Sequence, residues 1–406
     1  MKWLLLVALS AFSFGSVGIE KSQIKDWQED LSYYAEQLPK LHIDPFHAIS
    51  QQTFTAEIER LKKSLSGLSR NQLLVELMRL THRIDDGHTS FPLWGAELHR
   101  FPVELKVIDS KIYVVKTTAD YQHLLGAELV AIDNTLSQQV YSLLSQLTPF
   151  TENAYSAKVR VAQYMPRAEV LNGLGIIDES LQATFTFKQG EKSLEQVFKA
   201  KREYDFEPGI TYLNTEYFSV EEKINDDLWF GSSPDKNTVY VHFHRYASVS
   251  EIMPFGETLL AFINKHRSKK LIIDLRDNFG GDFFVGLVLA SSLVLADTID
   301  WKSGVYVLTD NVTFSAAMSN AAQYSQLLNA TLVGEPTGAT PSGYQDMGQF
   351  ELPHSKLPVT YSKRLYHFKE DQKEALYPDV LVEVTLADYL SNNDRQLNWI
   401  LKDIAK

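Results

Sequence analysis

Lys269-Lys270-Leu271-Ile272-Ile273-Asp274-Leu275-Arg276-Asp277-Asn278-Phe279-Gly280-Gly281-Asp282 is the stretch whose reading decides the fold. Leu271, Ile272 and Ile273 form a short apolar run, as a strand covered on both faces does. The run stops at a polar turn with two glycines. Gly280-Gly281 lets the backbone take angles that side chains forbid and lets another chain come close. Bare N–H groups at such a turn can bind an anion or a developing oxyanion. Working outward, the pattern alternates. Val239 to Phe243 reads as a strand, Ser250 to Lys265 as a helix, Leu271 to Leu275 as a strand and Phe283 to Leu295 as a helix. Val305 to Leu308, Ser315 to Leu328 and Ala330 to Gly334 continue as strand, helix, strand. This alternation predicts an α/β domain with a largely parallel sheet.

Thr313-Phe314-Ser315-Ala316-Ala317 places a serine between a strand and a helix, where the helix N-terminus favours a nearby anion. Taken in order, Asp274-Leu275-Arg276, Asn278, Gly280-Gly281, Ser315-Ala316-Ala317 and Tyr377-Pro378-Asp379-Val380 carry a resemblance. The stretch from Val239 to Asp379 resembles the catalytic domain of the S41 serine peptidases, the tail-specific or C-terminal-processing protease family. Upstream, Asp85-Asp86-Gly87-His88-Thr89-Ser90 resembles the Asp-Gly-His-Thr box of the branch that lacks a catalytic lysine. The resemblance covers most of the chain. It implies a ClpP/crotonase-like α/β core with its chemistry at strand ends.

The same resemblance implies the site. Ser315 would be the nucleophile, and a serine needs a base to take its proton. Tail-specific proteases proper use a lysine beyond the next strand. Here that place reads Thr337-Gly338-Ala339-Thr340, and no Lys or Arg lies between Ser315 and Lys356. His88 is the expected base, since an ordinary histidine pKa of about 6.5 suits the task. A third group should orient it. Thr89 and Ser90 are near in sequence, and Glu335, Glu370, Asp371 and Glu374 are acidic candidates. Glu335 is preferred, because its loop follows the strand beside the nucleophile. The oxyanion hole is expected from the N–H groups of Gly281 (or Gly280) and Ala316. Asp274 and Arg276 read as a buried structural ion pair, and Asp379 as part of a structural turn. One departure is Met318, where many members have Glu.

The rest of the chain divides as follows. Residues 1–18 read as a secretory signal: Lys2, an apolar stretch from Trp3 to Phe14, then small residues at cleavage spacing. Residues 19–100 read as a helical region ending in the His box, with Trp27, Leu31, Tyr34 and Leu38 at helix spacing and Ser69 as an N-cap. Residues 101–200 read as β-rich. Leu124 to Asp133, with a helix expected from Leu136 to Leu147, is similar to the second half of a PDZ-type module. A degenerate PDZ-like segment and a plain β scaffold are the two readings of this region. Residues 201–236 read as an irregular linker, and 237–406 as the catalytic domain.

The 406 residues contain no cysteine, which excludes disulfides and thiolate chemistry. The formal net charge is −12 with mixed signs, which disfavours nucleic acid. No cofactor or metal is expected. His242 and His244 share a strand face as metal ligands do, but no second ligand pair accompanies them. Crotonase-type thioester chemistry, which the same architecture hosts, would leave Ser315 without a task. The expectation is therefore an exported serine peptidase, periplasmic in a Gram-negative source and otherwise secreted, acting on peptides or unfolded protein, with no membrane span once the signal is removed. The alternative is a catalytically silent relative that binds a peptide or an apolar ligand.

Overall fold

The computed structural model describes residues 18–179 and 181–406. The leader reading, which rests on residues 1–17, lies outside them. Three helices come first: α1 (Lys21–Leu41), α2 (Gln51–Ser64) and α3 (Arg70–His82). Their apolar spacing turns one face inward, burying Trp27, Leu31, Tyr34 and Leu38 on α1. Ser69 caps α3 reciprocally: its hydroxyl accepts from the Gln72 N–H at 3.2 Å, and the Gln72 side chain accepts from the Ser69 N–H at 2.8 Å.

An antiparallel sheet follows. Its strands are β1 (Val103–Ile108), β2 (Lys111–Thr117), β3 (Glu128–Ile132), β4 (Thr135–Leu136), β5 (Gln182–Gln189) and β6 (Lys192–Lys199). The order is β1-β2-β3-β5-β6, with β4 against β3. Helices α4 (Ser137–Leu144), α5 (Ala154–Tyr164) and α6 (Ala168–Gly173) lie between β4 and β5. The alternation of β5 puts Phe185 and Phe187 into the same apolar core as Leu73, Leu77 and Phe101. Cap and antiparallel sheet are thus fused through one core.

The seven-stranded sheet contains β7 (Ser219–Asn225), β8 (Leu228–Ser232), β9 (Thr238–Phe243), β10 (Lys270–Asp274), β11 (Val305–Thr309), β12 (Thr331–Gly334) and β15 (Val380–Leu381). Its order is β15-β12-β11-β10-β9-β8-β7. Strands β9 to β12 and β15 pair in parallel, and β7 and β8 add antiparallel. The sheet is therefore mixed. The expected linker at 201–236 is corrected here, because it supplies two strands. Leu228, Trp229 and Phe230 are buried, while the polar β7 forms the edge, where one side meets water. Helices α7 (Val249–His266), α8 (Phe283–Leu293) and α9 (Ala316–Leu327) cover one face of the sheet. Leu271 and Ile273 point into that layer, whereas Ile272 packs with Leu397 and Ile400 of α11 (Arg395–Ile404) on the other. A short α10 (Leu386–Ser391) precedes α11. Both faces being covered explains the unbroken apolar run of β10.

A long hairpin, β13 (Ser342–Glu351) and β14 (Pro358–His367), leaves the parallel sheet and reaches the cap. Ser90 and Thr360 exchange backbone hydrogen bonds of 3.3 and 2.9 Å. That bridge carries the His box toward the end of the parallel strands. Among the described residues, no helix is long and apolar enough to cross a membrane.

Candidate active site

The turn after β10 is built around Asn278. Its side chain donates to the Phe243 carbonyl at 2.6 Å and accepts from the Gly280 N–H at 2.8 Å. The Phe314 N–H donates to the Asn278 carbonyl at 3.0 Å, tying this turn to the serine turn. Gly280 has φ +97°, and a Cβ there would lie 2.7 Å from the Phe314 carbonyl oxygen and 2.8 Å from the Ser315 Cβ. Only glycine fits so close an approach at that angle. Ser315 itself has φ +51° and ψ −123°, an unfavourable geometry for a residue with a side chain. It precedes the first residue of α9 and presents its hydroxyl at a sharp strand-to-helix turn.

His88 is brought to this hydroxyl from 227 positions away, its Nε2 lying 2.8 Å from Ser315 Oγ. The loop that carries it is fixed by Asp86. One Asp86 oxygen accepts from the N–H groups of His88 and Thr89 at 2.9 and 2.7 Å and from the Ser362 hydroxyl at 2.7 Å. Its other oxygen is 2.8 Å from His42 Nε2. Burial works against the Asp86 carboxylate, but these bonds, His42 first, hold it below the ordinary carboxylate range. The His88 ring stacks on Phe314 with centroids 5.2 Å apart. Burial lowers its pKa to about 4, with Asp86 opposing. At neutral pH the imidazole is therefore uncharged and able to accept a proton.

The N–H groups of Gly281 and Ala316 donate to no protein acceptor among the described residues, whereas that of Gly280 is taken by Asn278. Glu335 stands elsewhere. It accepts from the Val384 N–H at 3.3 Å and lines a neighbouring cavity with Lys106 and Asp310. Burial, then Asp310, raises it to about 7. Glu370, Asp371 and Glu374 are exposed. Asp379 accepts from the Leu332 N–H at 2.8 Å, and Asp274 and Arg276 are buried together with Asp394. His242 and His244 pack against each other, tilted by 32°, with centroids 3.6 Å apart. Among the described residues, no group of three or more His, Asp or Glu side chains is disposed to hold a metal.

The acid that adjoins the histidine loop is one that sequence reasoning missed. Glu152 Oε2 is buried without a hydrogen-bond partner, whereas the His88 ring also faces the backbone of Tyr344. A Cβ on Gly87, the residue before His88, would lie 2.6 Å from that Glu152 oxygen. The other Glu152 oxygen accepts from the Thr340 hydroxyl. Burial raises the Glu152 carboxyl to about 8. Its loop is held by Ser90, whose hydroxyl accepts from the Phe150 N–H at 2.9 Å, and by Asn153, which caps α5. No local pattern in Thr151-Glu152-Asn153 signals this role.

Ser315 and His88 open onto a cavity of about 760 Å³ lined by Phe279, Phe283, Phe284, Met347 and Tyr366. The second cavity, of about 1090 Å³, shares Trp94, Phe150, Arg160 and Phe279 with it. The cavity at Ser315 is mainly apolar, the usual character of a ligand site, whereas the second is rich in charged side chains such as Lys106, Lys158, Asp310 and Glu335.

No family model and no curated protein sequence matches the chain. Among solved structures it is similar to mature CPAF, at TM-score 0.64 and 11% identity, covering 94% of this chain and 96% of that one. Mature CPAF complexed with lactacystin gives TM-score 0.62 and 12% identity over 94% and 97%. A fainter likeness, at TM-score 0.41 and 12% identity over 90% and 94%, is to the photosystem II D1 C-terminal processing protease. At these identities the likeness concerns the fold alone: the chain has the mixed α/β fold of mature CPAF over nearly its whole length.

Proposed function

We propose that this chain is an exported serine peptidase of S41 type that cleaves peptide bonds through an acyl-enzyme. The observation that carries this reading is the 2.8 Å hydrogen bond between a neutral, buried His88 and Ser315 at a strained turn. Ser315 Oγ attacks the scissile carbonyl carbon as its proton passes to His88 Nε2. The oxyanion is met by the N–H groups of Gly281 and Ala316. His88 then gives the proton to the leaving amine, and the C–N bond breaks. Water attacks the ester, again through His88, and releases the acid. We assign Glu152 rather than Glu335 as the carboxyl beside the His88 loop, because it abuts Gly87; held neutral by burial, it positions that loop, and the negative charge that favours the imidazolium comes from Asp86. The mainly apolar cavity at Ser315 suits an extended peptide with a hydrophobic residue beside the scissile bond.

The test compares the protein with its Ser315→Ala variant on an unfolded protein, reading fragments by mass spectrometry. Cleavage by the parent and none by the variant is expected. Equal cleavage by both would overturn the assignment of Ser315. Cleavage by neither folded protein would favour a binding role.

A further inference from the structure

The two cavities meet at Arg160 on α5, which lines both. Its guanidinium lies 4.1 Å from the Phe279 ring centroid, 5.4 Å from that of Phe314 and 5.5 Å from that of Phe150. Phe314 precedes the nucleophile, and Phe279 precedes the glycine turn. Arg160 makes no ion pair among the described residues; its one side-chain hydrogen bond, at 3.4 Å, goes to Gln163. Of the other cations lining the Ser315 cavity, Lys363 and Arg364 both pair with Asp346, while Lys106, Lys158 and Arg167 line only the larger cavity. A guanidinium set close to aromatic rings through its carbon still has N–H donors at its planar edge for a partner. An unpaired cation in a partly dry cleft gains most from a ligand carboxylate, which it can grip with two parallel hydrogen bonds.

We infer that Arg160 is a substrate-reading residue, and that the peptide favoured by this site carries a carboxylate at the junction of the two cavities. This rests on the peptidase reading above and gives it a substrate class. The bond formed is non-covalent, guanidinium to carboxylate. The carboxylate has two sources, an Asp or Glu side chain and a free C-terminus. Burial leaves the Arg160 pKa near about 10, so the group is cationic at neutral pH. Its charge also disfavours protonation of His88, and a bound carboxylate would offset that effect as the imidazolium forms.

The test uses peptides with a single Glu or Gln walked along the sequence, each with a free or amidated C-terminus. Turnover is measured with the parent, Arg160→Gln, Arg160→Met and Arg160→Lys. Binding of the same fluorescently labelled peptides is measured in a Ser315→Ala background with and without Arg160→Gln. The parent should prefer the carboxylate peptide over its neutral partner by roughly ten- to a hundredfold in kcat/KM, the scale of a charge-assisted hydrogen bond. The ratio should fall to about one in R160Q and recover in part in R160K. If R160Q does not fold, R160M, which keeps apolar length over the rings, reads the same ratio. A preference tied to internal Glu names the side chain as the source; one tied to the free terminus names the C-terminus. Cleavage with no carboxylate preference, or a preference that survives R160Q or R160M, overturns the inference and leaves the peptidase reading intact. No cleavage, with Arg160-dependent binding retained in the Ser315→Ala background, overturns the peptidase reading and leaves this one.

Discussion

Ser315 and His88 act as one unit, so their removal should not add. Each of Ser315→Ala and His88→Ala should lower kcat by about 10⁴-fold or more, and the double variant should fall no further. The pH profile follows from the surroundings of His88. Burial sets its pKa at about 4, and a base works only while unprotonated. The acid limb of kcat/KM should therefore fall near pH 4, not near 6.5; a limb at 6.5 would mean that the free protein leaves His88 solvated. Glu152 gives a stability test with the opposite sense. Burial raises its carboxyl from an ordinary 4.5 to about 8. Between those values the folded chain holds a proton that the unfolded chain has released, so stability from this group declines as pH rises from about 4.5 to about 8. Glutamine does not titrate and can still accept from Thr340. The Tm of Glu152→Gln relative to the parent should thus climb across that window, and a flat difference would count against a buried neutral carboxyl.

At the level of elements, the site depends on one turn and one hairpin. Gly280→Ala forces a Cβ against Phe314 and Ser315 at φ +97°. A cost of about 1–3 kcal/mol is expected from the backbone alone. Denaturant unfolding would measure it, and the rate of labelling by a serine-reactive phosphonate should fall with it. The elements around this turn were legible in the sequence because their signals are local. The apolar run of β10, the glycine pair and the helix after Ser315 each announce themselves within a dozen residues. Strands β7 and β8 were not: β7 is a polar edge strand with no apolar face to display, and β8 offers only the short apolar run Leu228-Trp229-Phe230. Helices α5 and α6 were also hidden within a region read as β-rich, because α5 is only partly buried and α6 has six residues, too few to show a helical period. The hairpin of β13 and β14 was missed as well, although it carries the His box through the pairing of Ser90 with Thr360.

Across the whole molecule, the sheet is tied to its C-terminal helix by a buried network. Arg276 is bonded to Asp274 at 2.6 Å and to Asp394 at 2.8 Å, with Gln396 at 3.0 Å and Tyr240 also on Asp274 at 2.6 Å. All of these side chains are almost wholly buried. Removing one carboxylate leaves a buried guanidinium short of charge. Asp394→Ala should therefore cost about 3–5 kcal/mol in urea unfolding, with the loss spread over β10, β11 and α11 in hydrogen exchange. A loss confined to α11 would mean that the helix docks without supporting the sheet.

The sequence by itself determined the layers of the parallel domain, the glycine turn and the serine turn. Strand and helix periodicity, and the exclusion of side chains from tight angles, act over neighbouring residues and are written in order along the chain. Only the tertiary structure decided which groups meet. His88 and Ser315, Glu152 and Gly87, and Arg160 and Phe314 are far apart in sequence and carry no shared period. They are brought together by an apolar core common to the cap and the antiparallel sheet, and by a hairpin that crosses from one domain to the other. Such contacts depend on the summed burial of many side chains, which no short stretch of sequence contains.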